Sequence, residues 1–288
     1  MAGTHVPPTG LLLAEQTQRN RRAYRQVVAA FTAALGLLGL ILGLLAGAPG
    51  LGLGLGLGVA VLVVGFAPGL GERIALSRSH ALPADPDREP RYQNLVQGLC
   101  ETAGLPAPRL YVVDAAAANA FAVGRGPGQG AVVVTRGLLA GLNRVELEGV
   151  LAHELAHVQS GAARLSTLAV LLGGAPGLLR ESRQRGGGPL LGAAAVVLTP
   201  LALLMRLAAP ARRELEADET GAYLTRYPPG LISALGKLGL EADSTRLGGV
   251  GLEHLWIVTP GPAGDRWLER LYRSSPPVEQ RIAALREL

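Results

Sequence analysis

Apolar and polar positions divide this chain into blocks. A polar opening, residues 1–26, ends in Arg19, Arg21, Arg22 and Arg25. An uncharged apolar run follows from Val27 to Ala48. At about 1.5 Å per residue, a helix of that length crosses a hydrocarbon layer about 30 Å thick. A second run covers roughly Leu51 to Leu70 and opens with Leu and Gly alternating through Gly58. Alternating Gly suits neither a water-exposed helix nor a packed strand, but in lipid small residues let helices approach closely. The pattern predicts a helical hairpin over 27–70 with Pro49-Gly50 at its turn. Ala46-Gly47-Ala48 also mimics a leader cleavage site, but the length of the run and the second run behind it favour the hairpin.

Residues 71–164 change character. Pro83-Ala84-Asp85-Pro86 and Glu89-Pro90 mark a loop, and a helix is expected from Arg91 to Ala103, ended by Gly104. Three short β candidates follow: Arg109–Val113, Ala120–Val123 and Ala131–Thr135, with Gly124 to Gly130 as the turn between the last two. An exposed strand edge there could pair with an extended peptide through main-chain hydrogen bonds. Asn143 and Glu146 then form an N-x-x-E cap, followed by apolar helix positions Leu147, Val150, Leu151, Leu155 and Val158. Residues 165–210 hold two more apolar stretches, Leu165–Leu179 and Pro189–Ala209. They are expected to run out and back as a second hairpin, membrane-spanning or partly inserted. Residues 211–288 read as soluble helices: Arg212–Thr225, Leu231–Leu240, Trp267–Tyr272 and a last one opened by Pro276-Pro277, with a Gly-rich loop over roughly 248–264. The expected fold class is mainly α with a small β-sheet: an α+β catalytic domain in two parts, plus transmembrane hairpins.

Composition supports a membrane protein. Mean hydropathy is +0.30, and of 288 residues only 17% are charged while 40 are Gly. A pI near 9.9 raises the question of nucleic acid, but the arginines cluster beside the apolar runs, where they set topology instead. Four precede the first hairpin, and Arg73, Arg78, Arg88 and Arg91 follow it, so both flanks and the catalytic domain are expected on the cytoplasmic side of a multi-pass cell-membrane protein. The lone Cys100 excludes an intramolecular disulfide.

The chemistry centres on His153-Glu154-Leu155-Ala156-His157. On a helix, positions i and i+4 share a face, so both imidazoles can converge on one metal ion. Zinc is the expected ion, one per chain, and Glu154 is placed to act as general base on a water at the metal. A catalytic zinc takes three protein ligands. The best third candidate lies in Arg212-Arg213-Glu214-Leu215-Glu216-Ala217-Asp218, where Glu214 and Asp218 share a helix face. Glu214 could bind the metal, and Asp218 could accept the spare N–H of a liganding histidine. Glu216 is the rival in another register, and a merely charged helix face is the plain alternative.

HExxH followed by a Glu-x-x-Ala-Asp-type segment, with Asn119-Ala120-Phe121-Ala122 before it, resembles the HtpX branch of membrane zinc metallopeptidases, a group that includes the CAAX prenyl proteases. The likeness runs from about Arg73 to the C-terminus. It implies Glu214 as third ligand, Asp218 as the carboxylate behind a histidine, and Asn119 with Phe121 at the substrate edge. Two departures stand out: Pro210-Ala211 where the family has Ser-Arg, and Ser275-Pro276-Pro277 where it has His-Pro-Pro. The second leaves Arg281 and His254 as candidates to hold the reacting carbonyl oxygen. The resemblance implies an endopeptidase of protein quality control acting on unfolded or membrane polypeptides, with a CAAX-type processing protease or a metal-stabilised scaffold as alternatives.

Overall fold

In the computed structural model, the described residues are 9–173, 212–242, 252, 254–259 and 275–288. The expected apolar stretch Pro189–Ala209, the end of the one before it, most of the 248–264 loop and the Trp267–Tyr272 helix lie outside the described residues.

The chain opens with two long antiparallel helices, α1 (Thr9–Leu45) and α2 (Pro49–Arg78). Both are long and apolar enough to cross a membrane. The turn falls at Ala46–Ala48, just before the expected Pro49-Gly50. Pro49 is instead a first-turn helical residue, where its missing N–H costs nothing. Gly47 supplies the positive φ of 73° that the turn needs. The Gly repeat is used on one face only. A Cβ at Gly52 would overlap Gly39 O, and one at Gly56 would overlap Leu35 O, whereas Gly54 and Gly58 meet nothing within 4 Å. Outside this seam Leu42, Leu45, Leu51, Leu55, Val61 and Phe66 are exposed as an apolar belt.

The polar opening is also helix. α1 is helical throughout its described length because a buried stripe, Leu13, Gln16, Asn20, Tyr24, Val27, Phe31 and Leu35, recurs every three or four residues. Its lower half docks on the helices and sheet that follow the hairpin. Gln16 Nε2 donates to Thr220 Oγ1 at 2.8 Å, Asn20 Nδ2 donates to Ser160 O at 3.1 Å, and Arg164 stacks 3.6 Å over the Tyr24 ring. The lower end of α2 enters the same domain, where buried Glu72 is held by Arg109 and Arg125.

The sheet has four strands, in the order β1-β2-β4-β3. They are β1 (Leu82–Pro83), β2 (Arg109–Val113), β3 (Ala120–Gly126) and β4 (Gln129–Thr135). β1–β2 and β3–β4 are antiparallel, and β2–β4 is parallel. β1 is an addition to the expected strands, and β3 and β4 close on a tighter turn, Pro127-Gly128, with Gly128 at φ +67°. Helix α3 (Pro90–Ala103) ends on Gly104 as expected, in the left-handed conformation. A short helix, α4 (Arg136–Gly141), leads from β4 towards the helix that carries His153 and His157.

Helix α5 (Arg144–Gln159) is the hub. Its N-terminus is a full capping box: Glu146 N donates to Asn143 Oδ1 at 3.0 Å, and Asn143 N to Glu146 Oε2 at 2.9 Å. Glu146 also accepts from Ser233 and Lys237, tying α5 to α8 (Pro228–Ala242). Leu147, Val150, Leu151, Leu155 and Val158 are all fully buried. α6 (Ala162–Gly173) packs beside β3, where Gly124 N donates to Thr167 Oγ1 at 2.9 Å. α7 (Arg212–Thr225) crosses α5 so closely that a Cβ at Gly221 would stand 2.9 Å from His153 N. The closing helix α9 (Val278–Leu285) faces α7 and α8, with Leu285 buried and Ile282 partly buried as the pattern predicts.

Candidate active site

α5 stacks its two histidines one turn apart, with their Nε2 atoms 3.1 Å from each other. From α7, Glu214 brings Oε2 to 3.6 Å of His153 Nε2 and Oε1 to 3.4 Å of His157 Nε2. A tetrahedral zinc with ligand bonds of about 2.0–2.1 Å requires donor atoms roughly 3.3–3.4 Å apart. Each imidazole Nε2 thus has one Glu214 oxygen near that spacing, and one ligand atom from each of the three residues lies within 4.8 Å of the others.

The electrostatics fit the same use. His153 Nδ1 lies 2.8 Å from Asp218 Oδ1. That bond fixes the proton on Nδ1 and leaves the Nε2 lone pair facing the cluster. Burial pushes the His153 imidazole down, but the Asp218 carboxylate, its hydrogen bond and Glu214 push it up, to about 9. Burial pushes Glu214 up, yet His157 and His153 hold it well below the ordinary carboxylate range. Asp218 is likewise opposed by burial and held low by Arg281. Arg281 is buried and grips Asp218 with two hydrogen bonds of 2.7 Å, from Nε and Nη2, while Nη1 donates to Ile257 O at 2.6 Å. A proton held on His153 without metal must leave when a metal ligates Nε2.

Glu154 is buried beside this cluster, and its Oε1 has no hydrogen-bond partner among the described residues. Burial raises its carboxyl, partly offset by the two histidines. A buried polar atom without a partner is costly unless something else meets it. A carboxyl next to a metal cluster, tuned towards neutrality, is suited to moving protons.

The structure also places the remaining expected residues. Glu216 turns away and pairs with Arg212 at 2.8 Å and Arg19 at 3.2 Å. Asn119 is buried, with Nδ2 donating to Val258 O at 2.7 Å. The Phe121 ring is fully buried and meets Trp256 edge-on at 4.7 Å. His254 has a ring nitrogen 3.2 Å from Ser166 O on α6. Sequence reasoning missed Gln16, Asn20 and Gly221, which set how α1 and α7 meet the histidine helix. Gly221 did carry a signal: a glycine inside a helix costs about 1 kcal/mol relative to alanine and so flags a packing reason.

With this geometry in view, comparison with known proteins is decisive. The profile of peptidase family M48 matches residues 86–288. The chain belongs to peptidase family M48. Similar M48 proteins include the protease HtpX homolog of Tropheryma whipplei (strain TW08/27), 40% identical over 230 residues, which are 75% of this chain and 78% of that protein. The protease HtpX homolog of Dictyoglomus turgidum is 38% identical over 218 residues, 70% of this chain and 71% of that one. A solved structure, that of S. mikatae Ste24p, matches with a TM-score of 0.46 and 19% identity over 79% of this chain and 56% of that chain. As an M48 member the chain is a metallopeptidase, and the His153, His157 and Glu214 cluster fits the metal that the family implies.

Proposed function

We propose that this chain is a zinc-dependent endopeptidase, anchored in a cell membrane by the α1–α2 hairpin and cleaving unfolded or membrane polypeptides at a cytoplasm-facing site. The observation that carries the reading is the gathering of His153, His157 and Glu214, with the two Nε2 atoms 3.1 Å apart and a Glu214 oxygen 3.6 Å from one and 3.4 Å from the other, beside buried Glu154, whose Oε1 has no partner among the described residues. When bound, zinc supplies Lewis-acid polarisation of the scissile carbonyl and acidifies water. Glu154 takes a proton from the attacking water and returns it to the leaving amine. Asp218 holds the His153 ring by its Nδ1–H, and Arg281 neutralises Asp218. The apolar belt supports the bilayer, and exposed Arg21, Arg22 and Arg25 support the cytoplasmic side.

The test is Glu154→Gln in the full chain. The variant keeps its zinc and loses cleavage of an unstructured membrane-protein segment. Undiminished turnover would refute the assigned base, and activity unchanged by chelation would refute the metal.

A further inference from the structure

Where α1 passes from its arginines into its apolar run, two buried polar atoms stand together without partners. Tyr24 is 8% exposed, and its hydroxyl has no hydrogen-bond partner among the described residues. The same holds for the buried Nε of Arg164 on α6. The Arg164 guanidinium lies 3.6 Å over the Tyr24 ring, so the two orphaned groups occupy one corner of the fold. The ring face attracts the charge but leaves the N–H groups to be met elsewhere. Both orphans can donate: a guanidinium offers only N–H, and a phenol one O–H. An oxygen-rich anion would satisfy the pair.

An apolar groove between α1, α2 and α6 continues from this corner. Phe31 and Val28 of α1, Val63 and Val64 of α2, and Leu168 of α6 line it, with Tyr24 at its lower end. The uncharged run begins at Val27, so Tyr24 stands at the edge of the apolar span, the level at which tyrosines and arginines meet lipid headgroups. Arg21, one turn below on the same face, and Arg25, next in sequence, are exposed. Neither they nor Arg164 form an ion pair with a described carboxylate, whereas Arg19 pairs with Glu15 and Glu216, and Arg109 and Arg125 with Glu72. The corner therefore carries positive charge that the described chain does not balance.

We propose that this corner binds an anionic phospholipid. Its phosphate accepts from Arg164 Nε and the Tyr24 hydroxyl, and an acyl chain lies in the groove along Phe31 and Val63. The site rests on the membrane-anchored reading and is independent of the peptidase chemistry. One turn below Tyr24, Asn20 Nδ2 donates to Ser160 O, at the C-cap of the histidine helix. A headgroup held between Tyr24 and Arg164 thus ties α1 to α6 beside the end of α5.

The experiment uses the full chain in non-ionic detergent, stripped of lipid and titrated with dioleoyl phosphatidylglycerol or dioleoyl phosphatidylcholine. Native mass spectrometry counts bound lipid, and thermal unfolding reads stability. Phosphatidylglycerol is expected to bind about tenfold more tightly than phosphatidylcholine and to raise the melting temperature. Tyr24→Phe keeps the ring under Arg164 and removes the orphaned hydroxyl. It is expected to bind phosphatidylglycerol about tenfold more weakly, yet to melt no lower than the parent without lipid. Arg164→Gln is expected to lose at least as much, while Arg22→Gln, on the opposite face of α1, stays within about twofold. Equal affinity for the two lipids, or parent-like binding by Arg164→Gln, overturns the proposal. A lipid-free Tyr24→Phe chain that melts lower overturns it too, because the protein itself would then already satisfy the hydroxyl. Equal losses in Arg22→Gln and Arg164→Gln would show a diffuse basic collar in place of a site. Glycerol 3-phosphate, which has the phosphate without the tails, is expected not to compete at the lipid's own concentration; competition there would make the ligand a free phosphate. A chain released from its native membrane by alkaline carbonate sinks the anchoring reading and this site with it. A chain that stays in the membrane and prefers neither lipid sinks the site alone.

Discussion

The crossing of α5 and α7 at Gly221 sets the distance between the His153–His157 pair and Glu214, the three proposed ligands, and Gly221→Ala tests that directly. The added Cβ would stand 2.9 Å from His153 N and 3.1 Å from His153 Cα. These neighbours are backbone atoms, which cannot swing aside. The contact is about half an ångström short of ordinary van der Waals separation, so the two helices must part by about that much. Overpacking of this kind costs roughly 1–3 kcal/mol. Zinc–ligand distances tolerate about 0.2 Å, and Glu214 rides on the helix that moves. If the strain is relieved at the metal site, affinity falls by about 5- to 150-fold. In an unobstructed helix the same substitution stabilises by about 1 kcal/mol, so the sign is diagnostic. Gly98→Ala in α3, where a Cβ meets nothing within 4 Å, is the control expected to stabilise. Zinc affinity is read by competition with a chromogenic chelator, and stability by thermal unfolding of metal-free protein. A Gly221→Ala chain that binds zinc within about twofold of the parent and melts no lower would refute the crossing as described.

Three further outcomes are expected. Glu214→Ala lowers bound zinc measured by atomic absorption, and full occupancy would point instead to Glu216 or Asp218. Arg281→Met leaves the buried Asp218 charge without its partner, a loss of about 3–5 kcal/mol, seen as a drop in unfolding temperature of roughly 6 °C or more; an unshifted melt would contradict the buried pair. The third concerns pH. His153 is raised to about 9 in the metal-free fold, above the usual unfolded value of about 6.5. Its proton therefore stabilises the metal-free protein fully below about pH 6.5, and that contribution is lost as pH rises through 9. Zinc must displace this proton, so binding at pH 7.5 should release about one proton. Calorimetry in two buffers of different ionisation enthalpy reads it, and a buffer-independent heat would show that His153 is neutral beforehand.

What the sequence made legible follows how local each signal is. The capping box at Asn143 and the histidine pair are written within one helix, so spacing alone specifies them. Glu214 was legible as the leading candidate, with Glu216 a rival in another register; the structure brings Glu214 to both imidazoles and pairs Glu216 with Arg19 and Arg212. α1 itself was hidden at its start, because Gln16 and Asn20 interrupt the apolar stripe with polar groups that bond the catalytic domain. The two-residue β1 is too short to carry an alternating pattern. Asn119 was singled out for the substrate edge by resemblance; its hydrogen-bond partner Val258 lies far along the chain and no periodicity connects them. Phe121 looked available beside it, yet Trp256 covers it, a contact equally remote in sequence.

α1 is one unbroken rod from Gln16, which touches the helix bearing Glu214, to Gly43, at the top of the hairpin seam. Those ends are about 40 Å apart. Such a rod is a lever, and a few degrees of lean at one end become ångströms at the other. Whatever grips the apolar end of the rod thereby also bears on where Thr220 stands, and through α7 on the Glu214 carboxylate.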